Sequence, residues 1–216
     1  MHPISYPPLS QAVPDAAMTG DRHPLDDIKR TLRQRALAAR RVAHATLAAT
    51  AGERIAAAFL TGFTGEIGPV VAGYWPMGDE ADVRPLLEQL AGRGIVTALP
   101  VVVARHAPLQ FRRWTPGDAL EAGRHGTFHP YASAEVLEPD LLLAPLLAFD
   151  ARGGRLGYGG GYYDRTLEAL RAGRGRRITA IGIGYTAQAV DAVPRDGHDQ
   201  PLDWIVTEDG ARACRQ

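Results

Sequence analysis

Apolar residues recur along this chain in two rhythms, and the change from one to the other marks the expected elements. From Asp26 onward, Ile28, Leu32, Ala36 and Ala39 share one face of a helical repeat, which predicts a helix to Ala49 capped by Asp26 or Asp27. A second helical pattern covers Glu53 to Leu60. Beyond Pro69 the apolar positions become continuous, so Val70 to Trp75 reads as a strand inside a sheet. The segment Tyr74 to Glu80 is then a loop leading to a helix from Asp82 to Arg93. Ile95 to Val103 and Leu109 to Trp114 read as strands, and the stretch to Pro139 as mostly loop. The most apolar run, Asp140 to Phe149, is expected to be a central strand. Tyr162 to Leu170 reads as a helix and Ile178 to Tyr185 as a buried strand. A short helix, Ala187 to Ala192, and a last strand, Asp203 to Thr207, complete the pattern.

Strands alternating with helices predict an α/β fold: a single three-layer domain whose mostly parallel, Rossmann-like sheet is flanked by helices. In such sheets ligands bind at the carboxyl ends of the strands. The domain is expected over residues 24–210. Residues 1–23 are proline-rich without apolar periodicity and are expected to form a disordered extension, and 211–216 a tail.

Charge narrows the function. The 24 basic residues balance 24 acidic ones, so any anion site is local, and neither nucleic acid nor membrane is an expected partner. The single cysteine, Cys214, excludes an intramolecular disulfide and fits a reducing cytoplasm. No apolar run reaches membrane-spanning length and no signal pattern opens the chain, so a soluble cytoplasmic protein is expected. Among the 24 basic residues Lys29 is the only lysine, as if a compact ammonium were needed there rather than a planar guanidinium.

The candidate chemistry centres on Arg155 to Arg165, which reads R-L-G-Y-G-G-G-Y-Y-D-R. Gly157, Gly159, Gly160 and Gly161 strip side chains from a loop that follows an apolar run and opens a helix. Exposed backbone N–H groups and a helix N-terminus together favour an anion, typically phosphate. Arg155 adds a cation at the entrance, and Tyr162, Tyr163 and Asp164 follow with aromatic surface and a metal-capable carboxylate. An ordinary glycine-rich turn would need none of these neighbours. The loop is not a P-loop, because Gly161 is followed by Tyr162 rather than lysine, and Tyr162 also spoils the dinucleotide fingerprint.

Carboxylates supply the second constellation. Asp164 falls in a first helical turn, where dipole reasons alone would place one, and His198, Asp199 and Asp203 form another group. Two carboxylates beside phosphates suit magnesium. Glu80 follows a strand end and is expected to face the same crevice, whereas helix capping suits Asp79 and Asp82 better. His125 and His129 have zinc-helix spacing, but Gly126 and Pro130 forbid the helix. The serines Ser5, Ser10 and Ser133 lie in no nucleophile elbow, and Cys214 sits in the terminal tail.

The run P-L-L-A-F-D (Pro145 to Asp150), the glycine motif, Gln188 and H-D-Q-P-L-D (His198 to Asp203) together resemble the 5-formyltetrahydrofolate cyclo-ligase family. Lys29 with Arg33, and W-P-M-G-D-E ending at Glu80, match its other motifs in order, so the resemblance spans about residues 26 to 208. It implies a CoA-transferase-like fold and an ATP- and magnesium-dependent enzyme that forms 5,10-methenyltetrahydrofolate, ADP and phosphate; a monomer is expected. Catalysis would rest on Lys29, Arg155 and Tyr162, and ATP on Lys29, Arg33, Arg155, Gly157, Gly159, Gly160, Gly161, Tyr162 and Tyr163. Folate would contact Trp75, Glu80, Tyr158, Gly159, Gly160, Gly161 and Tyr162, and magnesium would sit at Asp164 and Asp199. His125 and His129 depart from the family's usual aromatic and glutamate or glutamine. Two rival readings are a kinase or ligase for another small substrate and a non-catalytic binder of nucleotides or sugar phosphates.

Overall fold

The computed structural model describes residues 24–123, 126–173 and 178–215. Its strands are β1 (Val70–Ala72), β2 (Val96–Val101), β3 (Gln110–Arg113), β4 (Leu120–Ala122), β5 (Phe128–Pro130) and β6 (Val136–Leu137). They continue with β7 (Leu141–Pro145), β8 (Ala148–Phe149), β9 (Arg155–Leu156), β10 (Thr179–Ile183), β11 (Trp204–Thr207) and β12 (Gly210–Ala213). The helices are α1 (Pro24–Gly62), α2 (Arg84–Gly92) and α3 (Tyr162–Gly173). The main sheet runs in the order β12-β11-β10-β7-β1-β2-β3-β6. From β11 to β2 the pairing is parallel, and β12, β3 and β6 join it antiparallel.

The pleat of β7 divides the layers. Leu141 and Leu143 join one core with Ile55 and Phe59 of α1 and Leu86, Leu87 and Leu90 of α2. Leu142 and Ala144 face the other way, into a core with Phe111 and Leu167 of α3. Strands buried on both faces must be apolar throughout, which is why β7 carries no alternation. Each leucine of β7 is fully buried, a contribution of about 1.5–3 kcal/mol apiece.

The two expected N-terminal helices are one, α1, of 39 residues and about 58 Å. Gly52 does not break it. A Cβ there would lie 3.0 Å from Pro85 Cγ and 3.1 Å from the Asp82 carbonyl, so glycine lets α2 approach α1. Beyond the main core the first half of α1 continues over the β8–β9 hairpin, where Ala36 packs with Leu147, Ala148, Leu156 and Val193. That reach carries Lys29, Arg33 and Arg40 to the carboxyl end of the sheet.

Three further expectations change. The region expected as loop before Pro139 holds β4, β5 and β6, which are too short to show a period. The expected helix Ala187 to Ala192 is a single 3-10 turn, Thr186–Gln188. The expected tail contains β12, which pairs with β11 from Thr207↔Gly210 to Trp204↔Ala213. Half-exposed edge residues left no apolar signal for it. The proposed extension 1–23 lies outside the described residues.

Candidate active site

The glycine loop is set up by a break in the central strand. Gln188, 2% exposed, donates from Nε2 to the carbonyls of Leu146 (2.8 Å) and Leu147 (3.0 Å), while its Oε1 accepts the Tyr185 N–H at 2.8 Å. The strand expected through Phe149 therefore stops at Pro145, and β8 turns back to pair with β9. Asp150 closes that hairpin, accepting the N–H groups of Arg152, Gly154 and Val193 at 2.8, 2.9 and 2.8 Å. Burial alone would raise its pKa, but these three donors outweigh it and hold the carboxyl below its usual range. From β9 the loop enters α3 directly, with Gly159 (φ 97°) and Gly161 (φ 64°) in the left-handed region.

Helix α1 covers this loop with cations. Lys29 Nζ donates to Asp199 Oδ2 at 2.7 Å and Asp196 Oδ2 at 2.9 Å. Burial would lower the ammonium, but hydrogen bonds and charge from Asp199 and Asp196 raise its pKa above the ordinary value. Arg33 Nε donates to the Gly157 carbonyl at 3.0 Å. Arg155, buried beneath, donates from Nη2 to Asp164 Oδ1 at 2.8 Å and lies over the Tyr163 ring. Asp164 Oδ1 also accepts the Gln200 N–H at 3.2 Å, and Asp199 Oδ2 the Asp196 N–H at 2.8 Å. Lys29, Arg33, Arg155, Asp164 and Asp199, read from scattered motifs, thus meet around one loop. Arg155 differs from a free entrance cation, because Asp164 already neutralises it.

Glu80 closes the other side. It is 4% exposed, its Oε2 accepts the Met77 N–H at 2.9 Å, and its Oε1 lies 3.8 Å from Arg40 Nη1. Burial pushes its pKa up, against the Met77 N–H and the Arg40 charge, with Asp79 adding to the rise. Arg40 Nη2 meets Asp79 Oδ1 and the Tyr158 hydroxyl, each at 2.5 Å. Asp79 is therefore a partner of Arg40 and not the helix cap its position suggested; Asp82 accepts the Arg84 N–H at the start of α2.

The remaining predicted residues divide. Tyr162 lies under the Arg165 guanidinium, while Tyr163 packs on the core beneath α3. Trp75 sits edge-on to Trp114 and Phe128, with Arg84 over its ring. Asp203 caps β10 through the Ala180 N–H at 2.8 Å. His129 lies 3.4 Å from Glu121 across β4 and β5, and His125 lies outside the described residues. Among the described residues no group of three or more His, Cys, Asp or Glu is placed to hold a metal, and no helix is long and apolar enough to cross a membrane. The sequence reading missed Arg40 and Asp196. Arg40 had one available signal, since it falls seven residues after Arg33 and eleven after Lys29, on the same helical face.

Comparison with known proteins agrees with this geometry. A sequence model of the 5-formyltetrahydrofolate cyclo-ligase family matches residues 26–208. The chain is 31% identical over 138 residues to the 5-formyltetrahydrofolate cyclo-ligase of Haemophilus influenzae, covering 61% of this chain and 72% of that protein. It is 34% identical over 142 residues to the Escherichia coli K12 protein of the same name, covering 63% and 76%. The solved structure of 5,10-methenyltetrahydrofolate synthetase from Aquifex aeolicus superposes with a TM-score of 0.70 at 28% identity, covering 88% of this chain and 94% of that one.

Proposed function

The chain belongs to the 5-formyltetrahydrofolate cyclo-ligase family and converts 5-formyltetrahydrofolate to 5,10-methenyltetrahydrofolate; from that premise we propose how its residues divide between an ATP half and a folate half. A formamide oxygen is a poor leaving group, so ring closure requires its activation. The formyl oxygen attacks the γ-phosphorus of ATP and ADP leaves. N10 then attacks the activated carbon, the carbon–oxygen bond to phosphate breaks, and N10 gives up its proton. No protein nucleophile is needed. Phosphoryl transfer asks mainly for positioning and charge neutralisation.

The ATP phosphates lie over Arg155 to Tyr163, with the glycine N–H groups donating and Lys29 and Arg33 closing from α1. The observation that carries this is that α1 sets Arg33 on the glycine loop, at the Gly157 carbonyl, and Lys29 on Asp199, whose neighbour Gln200 donates its N–H to Asp164 at the loop's exit. Tyr162 packs at the loop's exit beside the reacting groups. Glu80, Trp75 and Tyr158 take the folate, since a buried carboxylate repels phosphates and accepts N–H groups from a pterin.

The donor set suits magnesium. Asp164 and Asp199 are hard oxygen donors flanking Gln200, and their hydrogen bonds among the described residues fall on one oxygen each, Oδ1 and Oδ2. Magnesium held there would supply charge neutralisation for the transferring phosphoryl group. The reading includes a monomeric enzyme of the cytoplasm acting on small molecules.

Omission experiments test it. With 5-formyltetrahydrofolate present, the methenyl chromophore is expected only when both ATP and magnesium are added, with one ADP formed per turnover. Chromophore formation without ATP would overturn the reading.

A further inference from the structure

Arg40 is a charged residue in an expensive place. It is 2% exposed, and burying a guanidinium is tolerated only when acceptors surround it. Its acceptors come from two different loops: Asp79 from the segment after β1, and the Tyr158 hydroxyl from the glycine loop, both on Nη2. Tyr158 is otherwise 54% exposed, and the Arg40 guanidinium also lies 5.5 Å from the centre of its ring. The position of Tyr158 thus depends on Arg40. Arg40 Nε and Nη1 and Glu80 Oε1 are buried with no hydrogen-bond partner among the described residues, as is Asp79 Oδ2, which lies 3.9 Å from Arg41 Nε. Nη1 still lies 3.8 Å from Glu80 Oε1, so one guanidinium reaches Asp79, Glu80 and Tyr158 together.

We infer that Arg40 is a positioning residue for the folate half of the site: it fixes Tyr158 and the Asp79–Glu80 segment relative to each other, so that both loops meet the substrate in register. The planar fork is what the role requires, because a lysine ammonium is a point charge on a flexible stem and does not reproduce that geometry. The inference rests on the assignment of Glu80 and Tyr158 to folate.

The test is a double-mutant cycle with Arg40→Lys and Tyr158→Phe, reading the KM for 5-formyltetrahydrofolate and, separately, the Kd for ATP. Each single substitution is expected to raise the folate KM about tenfold, the size of one lost charge-assisted hydrogen bond, with ATP affinity unchanged. The double variant is expected to be no worse than the worse single one, because both remove the same contact. Effects that multiply, or an equal loss for both ligands, would overturn the inference. Non-additive effects confined to ATP would keep the Arg40–Tyr158 coupling and overturn the folate assignment instead. Should Arg40→Lys fail to fold, Tyr158→Phe decides alone, since it removes only a hydroxyl from a half-exposed ring, and an unchanged folate KM would then refute the role.

Discussion

Lys29 Nζ lies 2.7 Å from Asp199 Oδ2, although 170 positions separate them in the chain. The contact ties the first turns of α1 to the segment between β10 and β11, across the mouth of the glycine loop. The ammonium proposed for the phosphates and a carboxylate proposed for magnesium neutralise each other. Arg155 and Asp164 do the same on the other side at 2.8 Å. Both pairs keep charge balanced in a half-buried crevice, and both would have to be shared with the nucleotide and its cation.

Replacing Lys29 tests the nearer pair. Lys29→Met removes the cation and leaves Asp196 and Asp199 unneutralised, so kcat/KM for ATP is expected to fall about 10- to 100-fold. Lys29→Arg should recover only part of the loss, because a planar fork does not substitute for a compact ammonium. Steady-state kinetics with ATP as the varied substrate decide it, and equal values for all three proteins would make the sole lysine a compositional accident.

Asp164→Asn should lower kcat by about 100-fold or more while the thermal transition stays cooperative, because it weakens the donor proposed for magnesium in a charge-stabilised transition state. A rise in the magnesium concentration needed for half-maximal rate would accompany it. Full activity in the folded variant would leave Asp164 as a first-turn helix carboxylate and partner of Arg155.

Glu80→Gln should raise the KM for 5-formyltetrahydrofolate about 10- to 100-fold with little change in ATP affinity. Stability should move the opposite way. Burial holds the Glu80 pKa above its ordinary 4.5, so folding favours the protonated form. Its contribution is fully present below about pH 4.5 and is lost as pH rises through the raised value. The Tm of Glu80→Gln relative to wild type is therefore expected to increase from about pH 4 to about pH 8. A constant difference across that range would show that Glu80 ionises in the fold as freely as in solution.

Gln188→Leu keeps the volume roughly and strands two carbonyls and one N–H of the turn before the glycine loop. Unpaired buried groups cost about 1–3 kcal/mol each, so a net loss of about 2–4 kcal/mol and a Tm lower by roughly 5–15 °C are expected. Thermal unfolding followed by circular dichroism gives the answer, and an unchanged Tm would show that the turn holds without Gln188.

Much of this site could be read from the chain because its parts carry local chemistry. The glycine loop, the apolar run before it and the carboxylate after it are contiguous, so Arg155 to Asp164 announces itself. Lys29 stood out through rarity. Arg40 did not, because it is one arginine in a chain that uses arginine almost everywhere, and only tertiary burial sets it apart from its exposed neighbour Arg41. Asp196 was hidden for a similar reason: its role comes from Lys29, which lies 167 positions away. In the fold, the sequence pattern breaks α1 near Gly52, a position where packing against Pro85 outweighs helix propensity. The edge strand β12 was missed since it buries little and takes its order from β11.

The central claim is that ATP activates the formyl oxygen, and an isotope label follows that atom directly. 5-Formyltetrahydrofolate carrying 18O in its formyl group, incubated with the protein, unlabelled ATP and magnesium, should pass its label to inorganic phosphate, one labelled phosphate per methenyl product by mass spectrometry. Methenyl product accompanied by unlabelled phosphate would mean that the oxygen leaves by another route, and the phosphorylation step assigned to Lys29, Arg155 and the glycine loop would be wrong.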